Sequence, residues 1–269
     1  MKPQDARVLL TGANGGIGRP IAAGLLEAGA SVLLVGRSPA RLAALARELR
    51  RSPQERCDWH EANLMAAPSI DTLARAAAEW RCNVVIHAAG APAFGPVDSI
   101  AAAAVERVLQ TNLLGPMLLT QALLPHLAAQ AHSQVIFIGS VLGAIGLPGY
   151  AAYCASKFGL RGYAQALRRE LDGGPVRVQY LGPRSTRTAF NGAAVDAYNR
   201  ATHTAVDEPE RVARETLRML EDHAAERFLG FPERLGVRLN GAVPAWLDRS
   251  FGPHRRALAG TPADPLQQG

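Results

Sequence analysis

The stretch Thr11-Gly12-Ala13-Asn14-Gly15-Gly16-Ile17-Gly18 follows a short apolar run, Arg7 to Thr11, and opens a helical pattern over Ile17 to Ala28. A strand, a glycine-rich turn and a helix in that order begin a βαβ unit. Glycines at such a turn let backbone amides approach a pyrophosphate, which then rests against the positive end of the following helix. A merely tight turn would use the same glycines, but the placement between strand and helix favours a dinucleotide site built on Gly12, Asn14, Gly15, Gly16, Ile17 and Gly18.

Working outward, β-branched runs recur at Ser31 to Val35, Val84 to His87, Gln134 to Gly139 and Val176 to Leu181, with a weak last one at Arg227 to Phe231. Helical patterns lie between them at Ala40 to Arg50, Ile70 to Trp80, Ala101 to Ala129, Ala151 to Leu171 and Pro209 to Ala224. Asp207 is a candidate cap for the last helix, with Pro209 in its first turn. This alternation predicts an α/β fold: a Rossmann-type doubly wound parallel sheet with helices on both faces, in a single domain. The strands read as continuous apolar runs because helices bury both sheet faces. The catalytic domain is expected over residues 1–231. A C-terminal extension, 232–269, should form an amphipathic basic segment and then a disordered tail.

Composition narrows the function classes. Hydrophobic residues make up 48% of the 269 positions, enough for a large core. No apolar run reaches the roughly 18–20 residues needed to cross a bilayer, and no export signal is visible, so a cytoplasmic protein is expected. Cys57, Cys82 and Cys154 form no CxxC pair, and the histidines lack metal-ligand spacing, so no protein-bound metal is expected. The net charge of +6 is spread along the helices among acidic residues, which fits solvated faces better than a nucleic-acid surface.

The second strand runs into Gly36-Arg37-Ser38, where an NAD-binding protein usually places an acidic residue on the ribose 2′-hydroxyl. Arg37 can instead pair with a 2′-phosphate through a forked, charge-assisted contact, which points to NADP(H). At Tyr153-Cys154-Ala155-Ser156-Lys157 a phenol and an ammonium stand at i and i+4 on one helix face. The ammonium should lower the phenol pKa toward working pH, so that Tyr153 can exchange a proton with a carbonyl oxygen. Of 29 basic residues only Lys2 and Lys157 are lysines, so a lysine at this spacing is hard to read as incidental. Ser140, at the end of the Gln134 to Gly139 strand, is placed to polarise the same oxygen. Asn112 is a poor propensity choice inside a long apolar helix; a kink, a water-holding role or a satisfied core amide would each account for it.

These residues resemble the main branch of the short-chain dehydrogenase/reductase (SDR) family, over roughly Ala6 to Phe231. The matching motifs are TGANGGIG at 11 to 18, Arg37, Asn63-Leu64 after the third strand, HAAG at 87 to 90, Asn112, Ser140 and YCASK at 153 to 157. The resemblance implies a catalytic tetrad in which Asn112 holds a relay water, Ser140 orients the carbonyl, Tyr153 is the acid/base and Lys157 binds the nicotinamide ribose. It adds Asn63, Leu64, Ala89 and Gly90 to the cofactor site, and Thr186 where the family often touches the carboxamide. The chain departs from the family pattern with HAAG for the frequent NNAG, Asn63 for Asp, and Gly182-Pro183-Arg184 for the usual Pro-Gly turn. Arg184 and Arg187 are open to two readings, contact with a phosphate or acidic substrate group and solvent-facing loop cations. The segment from Arg187 to Val206 corresponds to the family's mobile substrate lid. Its Phe190, Ala193, Ala194, Val195 and Tyr198 imply an apolar substrate, and the long helices 101–129 and 151–171 imply a homodimer or homotetramer.

The expected activity is NADPH-dependent interconversion of a ketone and a secondary alcohol, with a lipophilic substrate such as a 3-oxoacyl or long-chain lipid ketone. The rival readings are a non-catalytic NADPH-binding sensor or scaffold on the same fold, and an epimerase or dehydratase variant. For the extension, packing on the subunit or a partner subunit competes with peripheral contact with an anionic membrane face.

Overall fold

A computed structural model of the chain describes residues 1–50 and 56–259. The tail expected to be disordered lies, beyond Ala259, outside the described residues. The described residues form one seven-stranded, all-parallel sheet in the order β3-β2-β1-β4-β5-β6-β7. The strands are β1 (Arg7–Thr11), β2 (Ser31–Gly36), β3 (Cys57–Glu61), β4 (Val84–His87), β5 (Ser133–Ile138), β6 (Val176–Gly182) and β7 (Glu226–Phe228). Successive residues alternate between two cores, which explains the unbroken apolar runs. In β1, Val8 and Leu10 enter the core under α1 (Gly18–Glu27), α2 (Pro39–Leu49) and α8 (Pro209–Asp222). Leu9 enters the core under α3 (Ala67–Glu79), α5 (Gly115–Ala128) and α6 (Ala151–Glu170).

Three departures from the sequence reading have simple causes. Strand β3, CDWHE, has one buried residue and a mostly exposed remainder in which Asp58, His60 and Glu61 are polar, because it is a sheet edge, so its hydropathy carries little strand signal. The helix expected over 101–129 is α4 (Ala102–Leu109), a π-helical turn over Gln110–Leu114, and then α5, so the expected kink falls on Asn112. The cap of α8 is Glu208, with no side-chain capping bond, because the Asp207 carboxylate is engaged by Arg184 and Arg211.

Strand order reverses between β1 and β4, which opens a crevice at the carboxyl ends of the two strands. The glycine-rich turn and the HAAG segment meet there. Around the crevice lie α7 (Ala193–Ala201) and three C-terminal helices, α9 (Glu233–Ala242), α10 (Pro244–Leu247) and α11 (Gly252–Ala259). The inner side of this extension packs on its own subunit. Asn240 Nδ2 donates to the Ala144 carbonyl at 2.8 Å, and Leu258 joins Phe94, Val195 and Tyr198 in a small apolar cluster. Among the described residues no helix is long and apolar enough to cross a membrane.

Candidate active site

The turn after β1 is shaped by close backbone approach. Gly12 has φ +68°, and a Cβ there would lie 2.7 Å from the Ala89 backbone. A Cβ on Gly18 would lie 2.1 Å from the Gly12 carbonyl oxygen. No side chain caps the amino end of α1, so its first amides have no side-chain acceptor. Buried Thr11 accepts from the Ala88 and Ala89 amides through Oγ1, both at 3.2 Å, and so fixes the HAAG loop beside the glycine turn. The Gly15 amide donates to the Gly12 carbonyl at 2.8 Å and the Arg19 amide to the Gly15 carbonyl at 3.0 Å, so the turn is a tight, glycine-rich backbone surface of the kind that accepts a phosphate.

Arg37 stands exposed just past β2 and forms no ion pair among the described residues. Gly36 beside it leaves space that its neighbour Asn14 approaches. Asn63 is exposed and its carboxamide oxygen accepts from the Met65 amide, whereas Leu64 is buried against Gly115. His87, where the family often has Asn, is buried and neutral, its pKa pushed down to about 3 by burial; it stacks on Phe137 and bonds Thr120 Oγ1.

Asn112 lies fully buried in the π turn. Its Oδ1 accepts from the Ala91 amide at 2.7 Å, and its Nδ2 donates to the Ala91 carbonyl and to Ser156 Oγ. Ser156 in turn donates to the Tyr153 carbonyl at 2.7 Å. The side chain therefore ties the loop after β4 to the helix that carries Tyr153 and Lys157. This accounts for an amide at an apolar helix position.

Ser140 caps the turn after β5, accepting from the Leu142 amide at 3.1 Å, and its side chain acts on Tyr153 in the direction of the phenolate. Lys157 is 4% exposed; its Nζ donates to the Ile138 carbonyl at 3.2 Å and lies 5.6 Å from the centre of the Tyr153 ring. The expected lowering of the tyrosine pKa is not what this arrangement produces. Burial raises the Tyr153 pKa, outweighing the opposing influence of Ser140, and burial lowers Lys157 to about 8. Both groups are displaced toward their neutral forms because each loses water. At neutral pH Tyr153 is thus a protonated phenol, able to donate.

Tyr180 escaped the sequence reading. It sits inside β6 as an unremarkable strand tyrosine, yet its hydroxyl donates to the Ser140 carbonyl at 2.9 Å and accepts from the Ser140 amide at 3.0 Å. Its ring fits only because residues 139 and 143 are glycines: a Cβ on either would come within 2.1 Å of it. The glycines flanking Ser140 were the available signal. Tyr180→Phe is expected to destabilise the fold by about 1–2 kcal/mol, since it leaves the buried Ser140 amide unpaired while the Ser140 carbonyl keeps the Gly143 amide. Equilibrium urea unfolding measures this, and an unchanged midpoint would refute it.

The loop after β6 corrects further expectations. Thr186 is buried, with Oγ1 donating to the Arg184 carbonyl, whereas Thr188 packs against Gly16, where a Cβ would meet it at 2.4 Å. Thr188, which the motif comparison passed over, is thus the threonine beside the glycine turn. Arg184 is not a solvent-facing cation: it pairs with Asp207 and Glu233. Arg187 is exposed and pairs with Glu208 at 2.8 Å. Of the apolar lid residues, Val195 and Tyr198 are packed away with Phe94. Phe190 remains partly exposed, edge-on to Tyr153 with ring centres 6.1 Å apart.

The model of the short chain dehydrogenase family matches residues 6–199. Dehydrogenase/reductase SDR family member 7B of Danio rerio is 31% identical over 232 residues, covering 80% of this chain and 74% of that protein. The uncharacterized oxidoreductase YciK of Escherichia coli (strain K12) is 33% identical over 195 residues, covering 71% of this chain and 77% of YciK. Among solved structures, the short-chain dehydrogenase from Sphingobium yanoikuyae in complex with NADPH aligns with a TM-score of 0.77 at 26% identity, covering 90% of this chain and 95% of that one. The closed form of serine dehydrogenase complexed with NADP+ aligns with a TM-score of 0.74 at 26% identity, covering 82% and 93%.

Proposed function

The chain belongs to the short-chain dehydrogenase family of oxidoreductases, and from that premise we propose that it is an NADPH-dependent reductase converting a lipophilic ketone to a secondary alcohol. The observation that carries this reading is that Ser140, Tyr153 and Lys157 gather at the carboxyl edge of the sheet, with Lys157 Nζ 5.6 Å from the Tyr153 ring centre and burial holding Tyr153 toward its protonated form. When bound, the nicotinamide supplies the hydride to the carbonyl carbon. Ser140 directs its hydroxyl proton to the substrate oxygen and Tyr153 gives that oxygen a proton. The Lys157 ammonium stabilises the phenolate left behind. Asn112 and Tyr180 hold these groups in register through backbone contacts.

Gly12, Asn14, Gly15, Gly16, Ile17 and Gly18 would cradle the pyrophosphate, with Thr188 closing over them. Asn63 and Leu64 would line the adenine side, Ala89 and Gly90 the ribose, and Thr186 the carboxamide through its backbone. The lipophilic substrate class rests on Phe190 and Tyr150, the rings that approach Tyr153. Association into a homodimer or homotetramer belongs to the same reading and rests on exposed Leu109, Leu114 and Phe158 along α4 to α6.

The test is NADPH consumption with a panel of short- and long-chain ketones. Turnover of long-chain members supports the reading, whereas tight NADPH binding without turnover of any ketone replaces it with the sensor. Cofactor choice is tested separately by Arg37→Glu. Removing a charge-assisted contact and adding repulsion should weaken NADPH binding by about 30-fold or more. NADH binding, measured by titration of nicotinamide fluorescence, should change little. Equal weakening of both would remove Arg37 from the 2′-phosphate site.

A further inference from the structure

The segment that covers the site, residues 187–206, leaves and rejoins the fold at one point. The Asp207 amide donates to the Ser185 carbonyl and the Arg187 amide to the Asp207 carbonyl, both at 2.8 Å, so the two ends of the segment are joined by a short parallel bridge. Arg184 sits directly beneath that bridge. Its Nη2 meets Asp207 Oδ1 at 2.8 Å, and its Nη1 meets Glu233 Oε1 at 3.2 Å. Glu233 is the first residue of α9, the start of the C-terminal extension. Arg211, in the first turn of α8, donates to the same Asp207 oxygen at 2.8 Å.

The side chains of Arg184, Asp207 and Glu233 are 14%, 5% and 20% exposed, so water screens these pairs weakly. The backbone is shaped to admit them. Gly230 has φ +94°, and a Cβ there would lie 2.5 Å from the Glu233 carboxylate and 2.9 Å from Arg184 Cδ. The covering segment places Thr188 on Gly16 and Phe190 on Tyr153, while the extension packs α9 on the loop that follows Ser140.

We propose that Arg184 is a positioning residue: its ion pairs with Asp207 and Glu233 lock the base of the covering segment to the C-terminal extension, so that the seating of the extension sets how tightly the segment closes over the cofactor and Tyr153. This rests on the reading of the site as a dinucleotide-dependent reductase. The partial burial of the pairs gives it force, because removing one partner strands a charge in a site where water cannot replace it.

The decisive variant is Glu233→Gln, which is isosteric and lies outside both the covering segment and the catalytic residues. Hydrogen exchange on the full-length protein should show amides of 188–206 opening about tenfold faster, with β1 and β4 unchanged. The KM for NADPH should rise about fivefold while kcat stays within about twofold, since a looser cover weakens binding without altering the proton donor. Arg184→Met should act in the same direction and more strongly, and Arg184→Lys should restore part of the effect. The proposal is overturned if Glu233→Gln loosens α9 alone, or if it lowers the unfolding temperature without moving exchange in 188–206. Should the native protein reduce no ketone, the reductase reading fails while the exchange comparison still decides the coupling.

Discussion

Tyr153→Phe is expected to lower kcat/KM for ketone reduction by about 10²- to 10⁴-fold, the range by which a positioned general acid accelerates proton transfer. The ring remains, and with it the edge-on contacts to Tyr150 and Phe190, so folding and NADPH affinity should stay near those of the native chain. The loss should appear in kcat more than in KM, because the hydroxyl proton matters most when charge develops on the substrate oxygen. Burial holds the Tyr153 pKa above its ordinary value, and the phenol stays protonated through the neutral range. Reduction should therefore proceed without loss from pH 6 to pH 8 as far as this group is concerned. Steady-state rates for the two proteins on one ketone, with NADPH affinity measured separately by fluorescence, make the comparison. A Tyr153→Phe protein retaining more than about a tenth of native kcat would remove Tyr153 from the role of proton donor.

Lys157→Met is expected to abolish reduction and, at the same time, to raise the stability of the fold. Burial lowers the Lys157 pKa from 10.5 to about 8. Below pH 8 the ammonium is charged in both folded and unfolded chains, and its desolvation cost is fully present in the folded one. Between pH 8 and about 10.5 the folded state releases the proton first, so the stability of the native protein rises with pH through that window. A shift of this size corresponds to a cost on the order of 3 kcal/mol at pH 7, partly offset by the bond from Nζ to the Ile138 carbonyl. The apolar, similarly shaped methionine avoids it. The expected unfolding temperature of Lys157→Met at pH 7 is several degrees above that of the native chain, with the gap narrowing as pH approaches 10. A less stable Lys157→Met protein at pH 7 would mean that Lys157 contributes structure beyond its charge.

The two predictions share a cause. Tyr153 and Lys157 are placed where each loses water, and burial is the leading cause of both shifts, so both are held toward neutrality at the candidate site. Residue spacing alone suggested the opposite direction for Tyr153. The i, i+4 relation places the two groups on one face, but the sign of a pKa shift depends on how much solvent the surrounding elements exclude.

Particular residues show where reading along the chain reaches its limit. The glycines from Gly12 to Gly18, the strand-helix alternation and the Tyr153–Lys157 spacing are local features, and the fold and the centre of the candidate site were legible from them. Strand β3 was not, because an edge strand buries one residue and carries polar ones on both faces. Tyr180 and Arg184 were not, because their significance lies in partners about 20 to 50 positions away: Ser140 for Tyr180, Asp207 and Glu233 for Arg184. Val195 and Tyr198 looked like substrate-facing residues and prove to be core, since Phe94 and Leu258 are brought to them from distant elements.

By itself, then, the amino-acid sequence determined the fold class, the place of the glycine-rich turn and the helical spacing that sets Tyr153 and Lys157 on one face, because hydrophobic period, glycine geometry and helical spacing all act within a few residues. Only the tertiary structure decided that Tyr153 is held protonated, that Tyr180 anchors Ser140 and that Arg184 joins the covering segment to the C-terminal extension. Those properties come from desolvation and from pairings across long sequence separations, and neither exists until the elements are packed together.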